Sequence, residues 1–365
     1  MNNLKEIIKK KIDVSGPLSV SDFILEANLN KKFGYYNKNL PFGKDKDFIT
    51  APEISQMFGE LIALWSIDCW NRMNKPKKFN IIELGPGSGI LMKDFLRTIS
   101  SNNEFIKNCK NIFFFEESAF LKKIQRRNLN KFDIKIKKKI KWINNLNKIN
   151  KFPFILIANE FFDALPIKQI EYTKKGWRER MVNYNKKKNS FHFSYSDEKT
   201  LLEKFLPKKK ICKIGSIYEI PIKMMIFIDD LFKKMKKEKS ACLIIDYVKK
   251  TTYGNSLKSI KKQKITKIFN DIGNSDISSH VNFNFFKEIA IKNQLNILGP
   301  VNQRNFLINL GILYRAKMLM NNANKKQKEM ILNNLDFLIN NNKMGKIFNV
   351  ISISSKNLNI LEGFN

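Results

Sequence analysis

Asn80-Ile81-Ile82-Glu83-Leu84-Gly85-Pro86-Gly87-Ser88-Gly89-Ile90-Leu91 reads as a short buried strand, a glycine turn and the start of a helix. Ile81, Ile82 and Leu84 form the apolar run expected of a strand covered on both faces. Gly85, Gly87 and Gly89 let the backbone turn sharply and leave room for a ligand against bare main chain. Ile90, Leu91, Phe95 and Leu96 then continue at helical spacing.

The ligand class follows from the details of the turn. A phosphate-cradling P-loop ends in Gly-Lys-Ser/Thr, which is absent here. A dinucleotide fingerprint reads G-x-G-x-x-G, with pyrophosphate on the helix N-terminus. The pattern here is Glu-x-Gly-x-Gly-x-Gly, and its leading carboxylate, Glu83, suits a cation better than a phosphate. S-adenosylmethionine carries a sulfonium and an ammonium and no phosphate, so it is the expected cofactor. Three glycines alone fit an ordinary strand-helix turn equally well; the acid at the head favours the cofactor.

Outward from this turn the chain alternates strand and helix. Asn111 to Phe115 is a second apolar strand ending in acid at Glu116, the place that takes ribose hydroxyls in doubly wound folds. Glu116 lies 27 residues past Gly89 against a usual gap of about 20, with the Asn/Lys-rich stretch 99–110 as the extra length. Its neighbour Glu117 leaves the assignment open by one residue. A third strand is expected near 140–143 and a fourth over Phe154 to Ala158, followed directly by Asn159-Glu160-Phe161-Phe162-Asp163-Ala164-Leu165-Pro166. Ligands of open α/β sheets bind at the carboxyl ends of the strands, so these polar residues are placed for chemistry. Capping of a helix by Asn159 and Asp163 is the alternative. Alternation over 167–195, around Gly176 and 185–189, predicts a small antiparallel insertion. Residues 197–237 read as helical with breaks near Gly215 and Pro221, Ala241 to Tyr247 as a fifth strand, and Phe348 to Ile353 as the last.

Upstream, residues 4–30 carry an apolar helical period broken at Gly16-Pro17, with Ser19 and Ser21 as candidate caps of a helix from about Asp22 to Leu29. Phe33-Gly34-Tyr35-Tyr36 and Pro41-Phe42-Gly43 form an aromatic, turn-rich loop. Thr50 and Pro52 signal a helix start, and Met57, Leu61, Leu64, Trp65 and Trp70 form the stripe expected to face the core.

Composition bounds the rest. The 365 residues suffice for one large domain with insertions or for two, and 43% hydrophobic content with 30 Phe supports a substantial core. No apolar run reaches about 18 residues, so no transmembrane helix is expected. The Lys-rich start lacks a secretory h-region, which makes cytoplasmic residence in a bacterial cell the default. Cys69, Cys109, Cys212 and Cys242 are scattered and only His192 and His280 are present, so no metal site is expected and the thiols read as free. The net charge of +34 suggests a polyanion partner. Lysine dominates it in dispersed runs (137–141, 208–210, 233–237) without aromatic stacking platforms, so solvated faces are the better reading and no specific nucleic-acid partner is expected.

Together these segments resemble the bacterial and mitochondrial S-adenosylmethionine-dependent methyltransferases whose mitochondrial member assists assembly of respiratory complex I. The resemblance spans nearly the whole chain: Gly16 to Ser19, Phe33 to Tyr36, Asp47 to Gln56, Glu83 to Gly89, Glu116-Glu117-Ser118, Ala158 to Pro166, Ile245 to Tyr247, His280 to Phe283 and Met344-Gly345. The chain departs from it at Val248, where the family has Gly, at Asn282, where it has an acid, and around 254–257.

The resemblance implies an α/β, class I (Rossmann-like) methyltransferase fold with a helical N-terminal extension and a small antiparallel/helical insertion. The expected organisation is residues 1–78 as helical segment and lid, 79–166 and 239–365 as the two halves of the core, and 167–238 as the insertion. It implies methylation of arginine in a protein client such as a complex I core subunit. Guanidinium stays protonated near neutral pH, and carboxylates both pair with its planar fork and relieve it of a proton. Glu160 and Asp163 are the expected catalytic acids, with Asn159 holding the acceptor. Gly85, Gly87 and Gly89 face the methionine portion of the cofactor, Glu83 its ammonium, and Glu116 its ribose. Phe48, Thr50, Ser55 and Gln56 form the lid that the resemblance implies. A catalytically idle assembly factor and, further off, a nucleic-acid methyltransferase are the rival readings. The oligomeric state is not encoded in these patterns.

Overall fold

The computed structural model describes residues 3–38, 40–41, 43, 46–206, 212–248, 253–356, 358 and 362–365. Phe42 of the aromatic loop and the lysine run 208–210 lie outside them. The chain forms two compact units, Met1–Pro41 with Phe162–Phe227 and Lys249–Val281, and Phe42–Phe161 with Ile228–Val248 and Asn282–Asn365. These boundaries differ from those drawn along the sequence. Residues 1–41 group with the insertion because Leu4, Ile8, Ile12, Val20 and Phe23 bury their helical stripe against Ile167, Val182, Phe191, Leu257, Ile272 and Ile277.

The larger unit is built on a seven-stranded sheet: β1 Phe79–Leu84, β2 Cys109–Phe115, β3 Ile140–Ile143, β4 Phe154–Asn159, β5 Ala241–Tyr247, β6 Asn296–Asn302 and β7 Phe348–Ser354. Across the sheet the order is β6-β7-β5-β4-β1-β2-β3. Strands β1 to β5 run parallel, and β7 lies antiparallel between β5 and β6. Every residue of β1 is buried, as are nearly all of β4 and β5, because helices cover both faces of the parallel strands. The order reverses at β1, whose neighbours are β2 and β4, so a crevice opens beyond the carboxyl ends of β1 and β4.

The helix expected through Pro52 to Trp70 is instead two. Ala51–Ile54 makes one turn, Ser55 is extended at φ −153°, and helix α1, Gln56–Arg72, starts afresh with Ser55 Oγ accepting the Met57 N–H at 3.3 Å. Thr50 holds the cap position of the short helix without a side-chain hydrogen bond. Met57, Leu61, Trp65 and Trp70 enter the core, but Leu64 is 49% exposed because it faces a surface groove beside Leu61, Tyr314 and Met318. Helix α2, Ile90–Ile99, follows the glycine turn, and helix α3, Ala119–Asn128, follows β2. At a position where the resembling family has an acid, Asn282 still caps its helix, accepting the Asn284 N–H at 3.0 Å.

In the smaller unit, strands Lys168–Thr173, Gly176–Asn185 and Ser190–Tyr195 form the predicted antiparallel hairpins, turning at 174–175 and 186–189. Residues 197–237 are not helical throughout: Ile217–Ile220 pairs with Lys168–Glu171, and among the described residues the α-helix is Ile222–Lys237, with a 3₁₀ turn at Glu203–Phe205. Ile217, Tyr218 and Ile220 are β-branched or aromatic residues that favour a strand, and Gly215 and Pro221 bound them. Ser19 caps the helix Val20–Leu29 through the Asp22 N–H at 3.0 Å, whereas Ser21 lies inside it.

Candidate active site at the strand switch

A small pocket lies beyond β1 and β4 in the larger unit. Its lining includes Thr50 and Glu53 from the short helix, Glu83 of β1, the turn from Gly85 to Ser88, and Asn159 and Glu160 at the end of β4.

The turn keeps its shape because its glycines meet demands no other residue meets. Gly85 has φ +61°, and a Cβ there would fall 2.7 Å from Cδ2 of Phe161. Gly89 has φ +81°, and its missing Cβ would press on Gln125 of α3 at 3.3 to 3.5 Å. The Gly85 N–H donates to the Phe115 carbonyl at 3.0 Å, and the Gly89 N–H to the Pro86 carbonyl at 2.7 Å.

Glu83 is 3% exposed, and its Oε2 is buried with no hydrogen-bond partner in the structure. Burial first, and the charge of Glu116 second, push its carboxyl up to about 8. Glu116 follows β2 directly and is itself buried. Its Oε1 accepts the Ser118 N–H at 2.8 Å and its Oε2 accepts Gln125 Nε2 at 3.1 Å. Burial raises its pKa, and these donors pull it back. Glu116 connects with the pocket through Gln125, which also donates to the Gly87 carbonyl at 2.9 Å.

On the other side of the switch, Asn159 Nδ2 donates to Glu160 Oε1 at 3.2 Å, while Asn159 Oδ1 is buried without a hydrogen-bond partner in the structure. Glu160 sits at φ +50°, a left-handed conformation that L side chains rarely adopt. Its N–H donates to the Ile245 carbonyl at 2.9 Å, which holds it there. Backbone strain of this kind gathers at functional sites.

The structure thus brings together Thr50, Glu83, Gly85, Gly87, Asn159 and Glu160, with Gly89 and Glu116 tied to the same turn. Ser55 and Gln56 are absent from the lining; Ser55 caps α1 and Gln56 is exposed. Asp163 belongs to the smaller unit, where its carbonyl accepts the Ser279 N–H at 2.9 Å. There its charge and that of Asp276 add to burial in raising the Tyr36 phenol well above its usual range.

Sequence reading passed over three residues here. Glu53 accepts the Ser88 hydroxyl at 2.5 Å, and burial raises its carboxyl. Gln125 and Asn128 hold the turn from α3, Asn128 through the Ser88 carbonyl at 2.9 Å. Glu53 stood inside the distinctive segment 47–56, and Gln125 at an apolar helical position four residues past Leu121; neither signal announces a role before the fold brings the segments together.

Among the described residues the lining has three carboxylates, Glu53, Glu83 and Glu160, and no Lys or Arg. An anionic ligand would meet no cation among these residues, whereas an ammonium or sulfonium finds acceptors, one of them the unpartnered Oε2 of Glu83. The donor set therefore fits S-adenosylmethionine.

Comparison with known proteins agrees. A family model described as putative S-adenosyl-L-methionine-dependent methyltransferase matches residues 61–301. The chain is 31% identical to a zebrafish (Danio rerio) protein named protein arginine methyltransferase NDUFAF7, mitochondrial, covering 96% of this chain and 87% of that one. The human protein of that name is 29% identical over 94% of this chain and 81% of its own length. A likely methyltransferase of the COG1565 superfamily from Burkholderia thailandensis, solved with S-adenosyl-homocysteine, superposes with a TM-score of 0.86 at 20% identity, covering 99% of this chain and 94% of that one, a likeness of fold. On a family match covering well over half of its length, the chain belongs to the S-adenosylmethionine-dependent methyltransferases.

Proposed function

We propose that this protein is a class I methyltransferase acting on arginine side chains of a protein client. The observation that carries the reading is the pair Asn159-Glu160 at the end of β4, lining a pocket with Glu53 and Glu83, with Glu160 held at φ +50°. The names borne by the relatives support arginine as acceptor, and the family resemblance points to a respiratory complex I subunit as the client.

The cofactor supplies an electrophilic methyl group on sulfur. Around it, Gly85 to Gly89 give close backbone approach, Glu83 accepts the ammonium of the methionine end, and Glu116 accepts the ribose hydroxyls. Thr50 and the short helix that follows exclude water from the reacting centre. Glu160 pairs with the acceptor guanidinium and takes its proton, while the Asn159 amide fixes Oε1 of that carboxylate at 3.2 Å. Proximity and orientation supply much of the remaining acceleration.

The test is transfer of labelled methyl groups to arginine-containing peptides and to complex I core subunits. Glu160→Gln is expected to lower turnover by roughly a hundredfold or more while cofactor affinity stays within about threefold. Full turnover by Glu160→Gln would remove the assignment. Cofactor binding by the wild type with no transfer to any arginine acceptor would favour the idle assembly factor instead.

A further inference from the structure

We infer that Gln125 is a positioning residue of the cofactor site, whose single buried amide fixes both the Glu116 carboxylate and the Gly87 carbonyl. Its assignment rests on the reading of Glu116 as the acceptor of the ribose hydroxyls.

Gln125 is 0% exposed, and burying an amide costs free energy unless each polar atom is paired. Here each is. Nε2 donates to the Gly87 carbonyl at 2.9 Å and to Glu116 Oε2 at 3.1 Å, and Oε1 accepts the Trp142 indole N–H at 2.7 Å. Only one orientation of the amide satisfies all three, since an indole N–H can only donate and a carbonyl or carboxylate only accept. The Arg126 guanidinium lies 4.6 Å from the Trp142 ring centroid and braces that third anchor.

Two consequences reach the cofactor. With Asn128 on the Ser88 carbonyl at 2.9 Å, α3 holds two successive carbonyls of the turn. In a planar trans peptide, drawing the Gly87 carbonyl toward α3 aims the Ser88 N–H the opposite way. In addition, Gln125 and the Ser118 N–H anchor one oxygen each of Glu116, which stops the carboxylate rotating and leaves further lone pairs for hydroxyl donors. The charged groups around Glu116 are Glu83 from β1, Lys122 from α3 and the adjacent Glu117. Beside them Gln125 is the side-chain donor that, with the Ser118 N–H, favours the ionised carboxylate.

The experiment is calorimetric titration of S-adenosylmethionine between pH 6 and 9 into the full chain, as wild type, Gln125→Met, Trp142→Phe and Glu116→Ala. Gln125→Met is expected to weaken binding roughly tenfold at pH 8. The ratio of its Kd to that of the wild type should widen as pH falls, because Glu116 without its amide donor protonates at higher pH. Glu83 titrates in both proteins and largely drops out of the ratio. A ratio that stays constant with pH, or affinity within about twofold of wild type, overturns the inference. If Gln125→Met does not fold, Trp142→Phe frees one anchor of the amide and should show the same pH trend at smaller amplitude; a flat ratio there also overturns it. Wild-type affinity in Glu116→Ala would instead defeat the ribose reading, whereas a weakened Glu116→Ala beside an unchanged Gln125→Met rejects only the role of Gln125.

Discussion

Glu83→Gln should stabilise the cofactor-free protein, and should do so increasingly as pH rises. The Glu83 carboxyl is 3% exposed, one oxygen has no partner, and its pKa stands at about 8 against an ordinary 4.5. Because the folded pKa lies above the unfolded one, the native state holds the extra proton between those values. Stability contributed by this residue therefore falls as pH rises through the window, the reverse of a salt-bridged carboxylate. At about 1.36 kcal/mol per pH unit the full cost of ionised Glu83 approaches roughly 5 kcal/mol above pH 8 and vanishes below about 4.5. Relaxation and water entry around the charge make that figure a ceiling. Gln keeps the shape and never ionises, so the stability difference between variant and wild type should be near zero at pH 4.5 and rise to a plateau near pH 8. Urea unfolding of both proteins at intervals of pH, without cofactor, measures the difference directly; titrating groups away from Glu83 cancel, and the repulsion from Glu116 that helps raise Glu83 is part of what is measured. A pH-independent difference, or a variant less stable than wild type at pH 8, would refute the account of Glu83 as an unpaired buried acid kept for its ligand. The same variant should bind S-adenosylmethionine more weakly, since the carboxylate proposed to accept the ammonium is gone.

Gly85→Ala meets both a positive φ and a contact of 2.7 Å with Phe161, so it should lose cofactor binding and about 1–3 kcal/mol of stability, read by calorimetry and urea unfolding. Unchanged affinity would separate the turn from the ligand. Glu60 is a buried acid shared by Arg315, at 2.8 Å and 3.0 Å, and Arg97, at 2.9 Å. Glu60→Gln should cost about 1–3 kcal/mol, less than a fully buried pair because both guanidinium groups are part-exposed and can rehydrate. A change in arginine methylation at matched stability would show that this cluster does more than join α1 to its neighbours.

Much of the larger unit was legible in the chain. Strands buried on both faces leave uninterrupted apolar runs, so 154–158 and 241–247 stood out without tertiary information. Residues 168–195 announced their hairpins by alternation and turn residues. Local rules failed where two preferences competed. Ser55 interrupts what periodicity presents as one helix, and Ile217–Ile220, read with the helical stretch that follows it, forms a strand against its partner at 168–171. The rules also failed where segments distant in the chain meet: Leu4 to Phe23 belong with the insertion, and Ser55 and Gln56, grouped with the site by resemblance, serve α1.

The sequence by itself determined the five parallel strands, the glycine turn and the acids at the carboxyl ends of β1, β2 and β4, because spacing and polarity of that kind are local properties of the chain. Tertiary structure alone decided which acids become chemically unusual. Glu83 has its raised pKa because two neighbouring strands and a buried Glu116 surround it, Glu160 its left-handed φ because it is held to Ile245, and Glu53 its place because a one-turn helix brings it to Ser88. Desolvation and strain depend on what surrounds a residue in space, and the chain order of residues 53, 83, 116 and 160 carries no record of that.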